Sequence, residues 1–161
     1  MLIKKSLKVF IFVIFSFSLL KSSMAQDLPD SIVKQLDKIS SKMMTATLED
    51  KKSSIIDYYA DDIVIMPDFQ PALRGKQTLS NAYNEERKKG LKYHSFNGVP
   101  EKRWMVADDV FERGTFGMSV STKDDPKPKA YYGSYFQIWE KQSGGSYKIS
   151  YIIWNLDFNP F

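Results

Sequence analysis

The sequence predicts an α+β domain in which helices come first and a meandering antiparallel sheet follows. Three observations carry this. Apolar residues recur at helical spacing through most of residues 32–89. The periodicity becomes strand-like after Gly90. Turn signals at 107–110, 123–129 and 142–146 then divide the remaining chain into successive strands.

Residues 1–25 stand apart from this domain. Lys4, Lys5 and Lys8 precede a 12-residue apolar run, Val9 to Leu20, and Ser23 and Ala25 are the small residues at −3 and −1. That pattern predicts a secretory signal peptide cleaved after Ala25. The run is shorter than the ~20 residues a membrane span needs, so the alternative, an uncleaved signal anchor, fits less well. The expectation is an exported chain, periplasmic or extracellular, with no stable membrane anchor after cleavage. The mature part is then a single domain, residues 26–161. Cysteine is absent, which excludes disulfides and a cysteine-linked lipid.

Charge follows the same division. Lys4, Lys5, Lys8 and Lys21 account for the whole formal charge of +4, so residues 26–161 are neutral. A nucleic-acid partner is not expected, because there is no basic excess to engage phosphates. The mature segment nonetheless keeps 19 of the 23 aromatic residues. They need a core to pack in or something to bind.

The elements follow in order. Ile32, Leu36, Ile39 and Met43 form a helical stripe over 32–48, with Asp30 or Ser31 available as cap. A short helix fits 51–59, capped by Asp50 and ended by Asp61 and Asp62. Ile63 to Met66 reads as a buried strand, and Pro67 and Pro71 stiffen the loop after it. A third helix fits 76–89, with Leu79, Ala82 and Tyr83 on its apolar face. Arg87, Lys88 and Lys89 oppose its dipole and Gly90 stops it. Strands are expected at 91–99, 103–107, 110–122, 130–141 and 146–157.

The last two strands are apolar on both faces. Tyr131, Gly133, Tyr135, Gln137 and Trp139 share one face of the first, and Tyr132, Ser134, Phe136 and Ile138 the other. The second divides into Ile149, Tyr151 and Ile153 against Ile152, Trp154 and Leu156. A sheet with one wet face would alternate apolar and polar residues. Helices can cover one of these faces, and a second copy of the chain is the simplest cover for the other, so a homodimer is expected.

Three stretches resemble the nuclear-transport-factor-2-like superfamily, in its SnoaL-like, ketosteroid-isomerase-like branch of secreted bacterial domains of unknown function. They are YYADDIVIMPDFQPALRGKQTL at 58–79, DDVFERGTFGMSV at 108–120 and GSYFQIWEKQSGGSYKISYIIWN at 133–155. The resemblance implies a cone-shaped, cystatin-like α+β fold, with a strongly curved sheet wrapped around the N-terminal helices. It places the Pro67–Pro71 loop near the open mouth and uses Gly75 to turn the backbone into the third helix.

Such a cone would be lined by Tyr59, Tyr83, Phe96, Trp104, Phe116, Tyr135 and Trp154. Asn155, Gln137 and Arg74 are possible polar groups within it. The leading reading is a domain that holds a small apolar or aromatic molecule there. One alternative is a non-catalytic interaction or dimerisation module whose cone is filled by its own side chains. The other is an acid–base enzyme of isomerase or cyclase type. For that chemistry the resemblance implies a carboxylate base and a phenol or protonated acid as oxyanion donor. Asp68 and Asp157 are the candidate carboxylates, and Tyr58, Tyr59, Tyr83 and Tyr135 the candidate donors. His94, the single histidine, is a further base candidate, set against a structural, hydrogen-bonded role. No cofactor is expected. Neither is a metal, since there is no cysteine, no second histidine and no carboxylate group spaced around His94. Glu101, Lys102 and Arg103, and the run Arg87–Lys89, read as solvated charge.

Overall fold

A computed structural model describes residues 28–157. The expected signal peptide therefore lies outside the described residues. Helix α1 spans Asp30–Leu48, and a 3-10 helix spans Lys52–Tyr58. Strand β1 is Tyr59–Met66, β2 is Leu73–Arg74, and helix α2 is Lys76–Lys88. Four long strands follow: β3 Lys92–Val106, β4 Asp109–Ser121, β5 Lys129–Lys141 and β6 Tyr147–Leu156. They form one six-stranded sheet in the order β2-β1-β6-β5-β4-β3. The fold is α+β, as the order of helical and strand periodicity predicts.

The helices pack on one face of the sheet. Leu36 of α1, Ile55 of the 3-10 helix and Leu79 of α2 meet Ile63 and Ile65 of β1, Val110 of β4, Trp139 of β5 and Ile149 of β6. Leu36, Val110 and Trp139 are fully buried. This is the inner face of the sheet. Gly90 has φ +65°, the left-handed conformation that ends α2. Gly75, at φ +78°, turns the chain from β2 into α2 and donates its N–H to the Ile63 carbonyl at 2.7 Å.

Several local expectations are corrected. Asp61 and Asp62 do not end a helix; they lie in β1, exposed, where its register with β6 shifts. β1 runs parallel to β6, so the sheet is mixed rather than wholly antiparallel. The first helix begins at Asp30 after Pro29, with no side-chain cap. The strands expected at 91–99 and 103–107 are one strand, β3. Pro100 is tolerated because β3 is an edge strand and bulges between Pro100 and Lys102.

A second irregularity sits between β5 and β6. Ile138 pairs with Tyr151 but Trp139 pairs with Ile149, so Ser150 is an extra residue. The bulge puts Ile149, Ile152 and Trp154 together on the inner face and sends Tyr151 and Ile153 outward. Strict alternation had grouped Ile149 with Tyr151 and Ile153.

Candidate functional site

The polar centre of the inner face is Glu112. It lies on β4 between Val110 and Gly114, and the alternation of the strand turns all three inward. Its carboxylate is 1% exposed. Four side chains donate to it. The Tyr135 hydroxyl and Gln137 Nε2 each reach Oε1 at 2.7 Å. Arg103 Nε and the Trp139 indole N–H, at 3.3 Å, reach Oε2. The cross-strand register explains the convergence: Arg103 faces Glu112 across β3–β4, and Glu112 faces Gln137 across β4–β5. Tyr135 lies opposite Gly114, where an added Cβ would come within 2.8 Å of the tyrosine oxygen. Gly114 thus leaves room for the phenol to lean over the strand toward Glu112.

Arg103 links this centre to the rim. Its Nη1 donates to Asp37 Oδ1 of α1 at 2.6 Å. The arginine side chain is 10% exposed and that of Asp37 57%, so the guanidinium runs from the interior to the surface. Burial disfavours the charged guanidinium, but Glu112 and Asp37 outweigh it and raise its pKa. Tyr135 is shifted upward, first by burial and then by the negative charge of Glu112. Its hydroxyl therefore stays protonated at neutral pH. With four donors on two oxygens, Glu112 has its lone pairs occupied. A carboxylate whose oxygens already accept four hydrogen bonds has no free lone pair aimed at a substrate proton.

A second buried cluster lies between the 3-10 helix, α2 and β3. Lys52 forms an ion pair with Glu86, and its ammonium sits 4.2 Å from the Tyr93 ring centroid and 5.3 Å from that of Tyr83. Tyr59 and Tyr83 hydroxyls are 3.3 Å apart. Burial raises the pKa of Tyr59, Tyr83 and Tyr93. The lysine finds one carboxylate and two aromatic faces there, which accounts for its charge without a ligand.

The expected pocket residues are distributed over several places. Tyr59 and Tyr83 meet in the lysine cluster. Phe96 packs edge-on against Tyr93, and Phe116 edge-on against Trp154, each at 5.9 Å between centroids. Tyr135 belongs to the Glu112 centre. Trp104 and Asn155 lie on the outer face. Trp104 packs there against Phe111 and Phe136, and Asn155 pairs with Ser134. An open recess of about 400 Å³ also lies along the outer side, with Val99, Thr115, Gly117, Tyr132 and Asp157 at its edge.

The catalytic candidates do not converge either. Asp68 accepts the Leu156 N–H at 2.9 Å, which ties the proline loop to the end of β6. His94 sits at the β3 bulge, exposed, with Nε2 2.8 Å from the Ser121 hydroxyl. Asp157 is exposed at the end of β6, its N–H on the Tyr132 carbonyl at 3.0 Å. None of the three bonds to the Arg103–Glu112 centre. Among the described residues, no group of three or more His, Asp or Glu is arranged to hold a metal. The two residues that do organise the interior are Glu112, which sequence reasoning passed over, and Arg103. The reading of Arg103 as solvated charge is corrected: it is the inner partner of a buried carboxylate.

No family model matches the sequence, and no curated protein matches it. Solved structures do. A ketosteroid isomerase-like protein from Erwinia carotovora atroseptica superposes with a TM-score of 0.68 at 17% identity, covering 78% of this chain and 96% of its own. A nuclear transport factor 2-like superfamily protein from Salmonella enterica gives 0.66 at 11%, covering 83% and 96%. A hexachlorocyclohexane dehydrochlorinase gives 0.66 at 12%, covering 80% and 86%. The chain has the fold of these proteins, the cone-shaped architecture of nuclear-transport-factor-2-like and ketosteroid-isomerase-like domains. At such identities the likeness extends to the fold alone.

Proposed function

We propose that this chain is an exported domain that binds one small apolar or aromatic molecule in its cone. The observation that carries the reading is the polar centre on the inner face. A buried ion pair contributes little net stability over apolar residues of the same size. A domain that needed only a core would do as well with apolar residues at 103, 112 and 137. A few placed polar groups in an apolar, aromatic wall are what a ligand pocket requires. An isomerase-like protein and a dehydrochlorinase among the structural neighbours are compatible with a small-molecule site. An acid–base reaction draws less support, because Glu112 is saturated with donors and Asp68, His94 and Asp157 lie elsewhere.

The test is a panel of steroids, phenols and aromatic acids, read by tryptophan fluorescence and melting temperature. Burying one aromatic ring contributes ~2 kcal/mol, so micromolar affinity is the expected ceiling. Trp154, in contact with Phe116, is the reporter; Trp154→Phe should blunt the response and His94→Ala should leave it intact. A panel in which no compound shifts either signal removes the ligand reading and leaves a filled cone.

A homodimer through the outer face accompanies this proposal. Trp104, Phe111 and Phe136 form an aromatic patch there, and Tyr132 and Ile153 beside it are 60% and 42% exposed. A lasting interface on this face would bury ~2,000 Å². Light scattering at micromolar concentration should give twice the monomer mass, and Ile153→Asp should return it to one. A clean monomer for the unaltered protein ends the dimer proposal.

Export remains a proposal drawn from the sequence. Intact mass of the protein recovered from outside the cytoplasm should correspond to a chain starting at Gln26. A mass that retains Val9 to Leu20 refutes cleavage. Among the described residues, no helix is long and apolar enough to cross a membrane.

A further inference from the structure

The guanidinium of Arg103 has one nitrogen without a partner. Nε bonds Glu112 and Nη1 bonds Asp37, while Nη2 is buried with no hydrogen-bond acceptor. A guanidinium presents planar forks of N–H groups that match the two oxygens of a carboxylate. Neither neighbouring carboxylate fills both prongs of a fork. Glu112 turns its second oxygen to Tyr135 and Gln137, and Asp37 reaches Nη1 alone. Nη2 therefore points two N–H groups at no acceptor, in a side chain nine-tenths buried. An unmet buried donor is costly, and native structures rarely keep one without a use.

We propose that Arg103 Nη2 is the recognition point for one uncharged acceptor oxygen on the bound molecule: a carbonyl, ether or hydroxyl. This rests on the ligand reading above and adds to it the chemical class of the ligand. Charge decides between a neutral and an anionic acceptor. Arg103 carries one positive charge, and Glu112 and Asp37 carry two negative ones, so the three together are net negative. A ligand carboxylate at Nη2 would meet both like charges in a poorly solvated place. A neutral oxygen takes the hydrogen bond without that repulsion. The exposed Asp37 marks the solvent end of the arginine.

Three probes of nearly one shape separate the possibilities in the unaltered protein: 2-acetylnaphthalene, 2-isopropenylnaphthalene and 2-naphthoate. The first has a neutral acceptor, the second none, and the third an anionic one. Calorimetry should show the ketone binding about tenfold more tightly than the alkene, the scale of a hydrogen bond from a charged donor. The naphthoate should bind more weakly than the ketone. Asp37→Asn, a change at an exposed rim position, should narrow that second gap. The guanidinium 15N resonances of Arg103 should move with the ketone and not with the alkene. Equal binding of ketone and alkene, with the Arg103 resonances unmoved, overturns the proposal while the ligand reading stands. Tightest binding of the naphthoate overturns the neutral class. Binding of none of the three counts against the ligand reading and takes this inference with it.

Discussion

Glu112→Ala is expected to cost ~3–5 kcal/mol of folding stability, the scale for breaking a buried ion pair by removing one partner. The loss is not that of the attraction alone. Arg103 keeps its charge in a place water scarcely reaches, with Asp37 at the rim as its remaining partner. The Tyr135 hydroxyl, Gln137 amide and Trp139 indole lose their acceptor at the same time. For a domain of this size the melting temperature should fall by roughly 10–20 °C, with the transition read by circular dichroism. Arg103→Met in the same chain should recover part of the loss, because it removes the stranded charge but not the three neutral donors. Such partial recovery is a coupling between the two sites, measurable as a double-mutant cycle in urea. If Glu112→Ala melts within a few degrees of the unaltered protein, the carboxylate is not the hub that its four donors make it.

That hub was within reach of the sequence. A reversal centred on Ala107 and Asp108 fixes the pairing of the strands on either side, and the observed register sets Arg103 opposite Glu112. Alternation along β4 then puts Glu112 on the same face as Val110 and Phe116. The signal was a charged residue on an otherwise apolar face, with an opposite charge across the hairpin. Sequence proximity hides it, because Arg103 follows Glu101 and Lys102 and the three read together as a solvated charged run. In a strand Lys102 points to the opposite face, and the bulge after Pro100 takes Glu101 out of the alternation. The expected aromatic lining split for a related reason. Aromatic residues occupy both faces of this sheet, so type alone does not say which way Trp104 or Phe116 points. Helices, turns and the α+β order were legible because each depends on residues close in sequence. The parallel pairing of β1 with β6 joins residues 87 to 90 positions apart, and nothing local announces it.

Gly133→Ala should be the most disruptive single-methyl change in the sheet, at about 3 kcal/mol or more, the upper range for overpacking a filled interior. A Cβ at this position would be driven into the carbonyl oxygen of Asn155 on β6, and would come within 2.6 Å of the Phe116 ring. The carbonyl belongs to the backbone of a paired strand, so it cannot swing aside as a side-chain end can. Gly133 pairs with Leu156 on one side and Phe116 on the other, deep in the sheet. Gly114, opposite Tyr135 on the neighbouring strand, meets a similar obstacle in the Val99 carbonyl. Two positions that admit no side chain on the inner face let adjacent strands close in and the sheet bend around its helices. The methyl therefore acts on curvature, and through curvature on the Phe116–Trp154 contact that lines the inner wall. Trp154 fluorescence in Gly133→Ala should shift even where the protein remains folded, and its urea midpoint should fall sharply. Gly144→Ala, in the β5–β6 turn where an added Cβ meets no atom within 4 Å, is the control and should leave both unchanged. If Gly133→Ala behaves like that control, the close approach of β6 to β5 is not what bends the sheet.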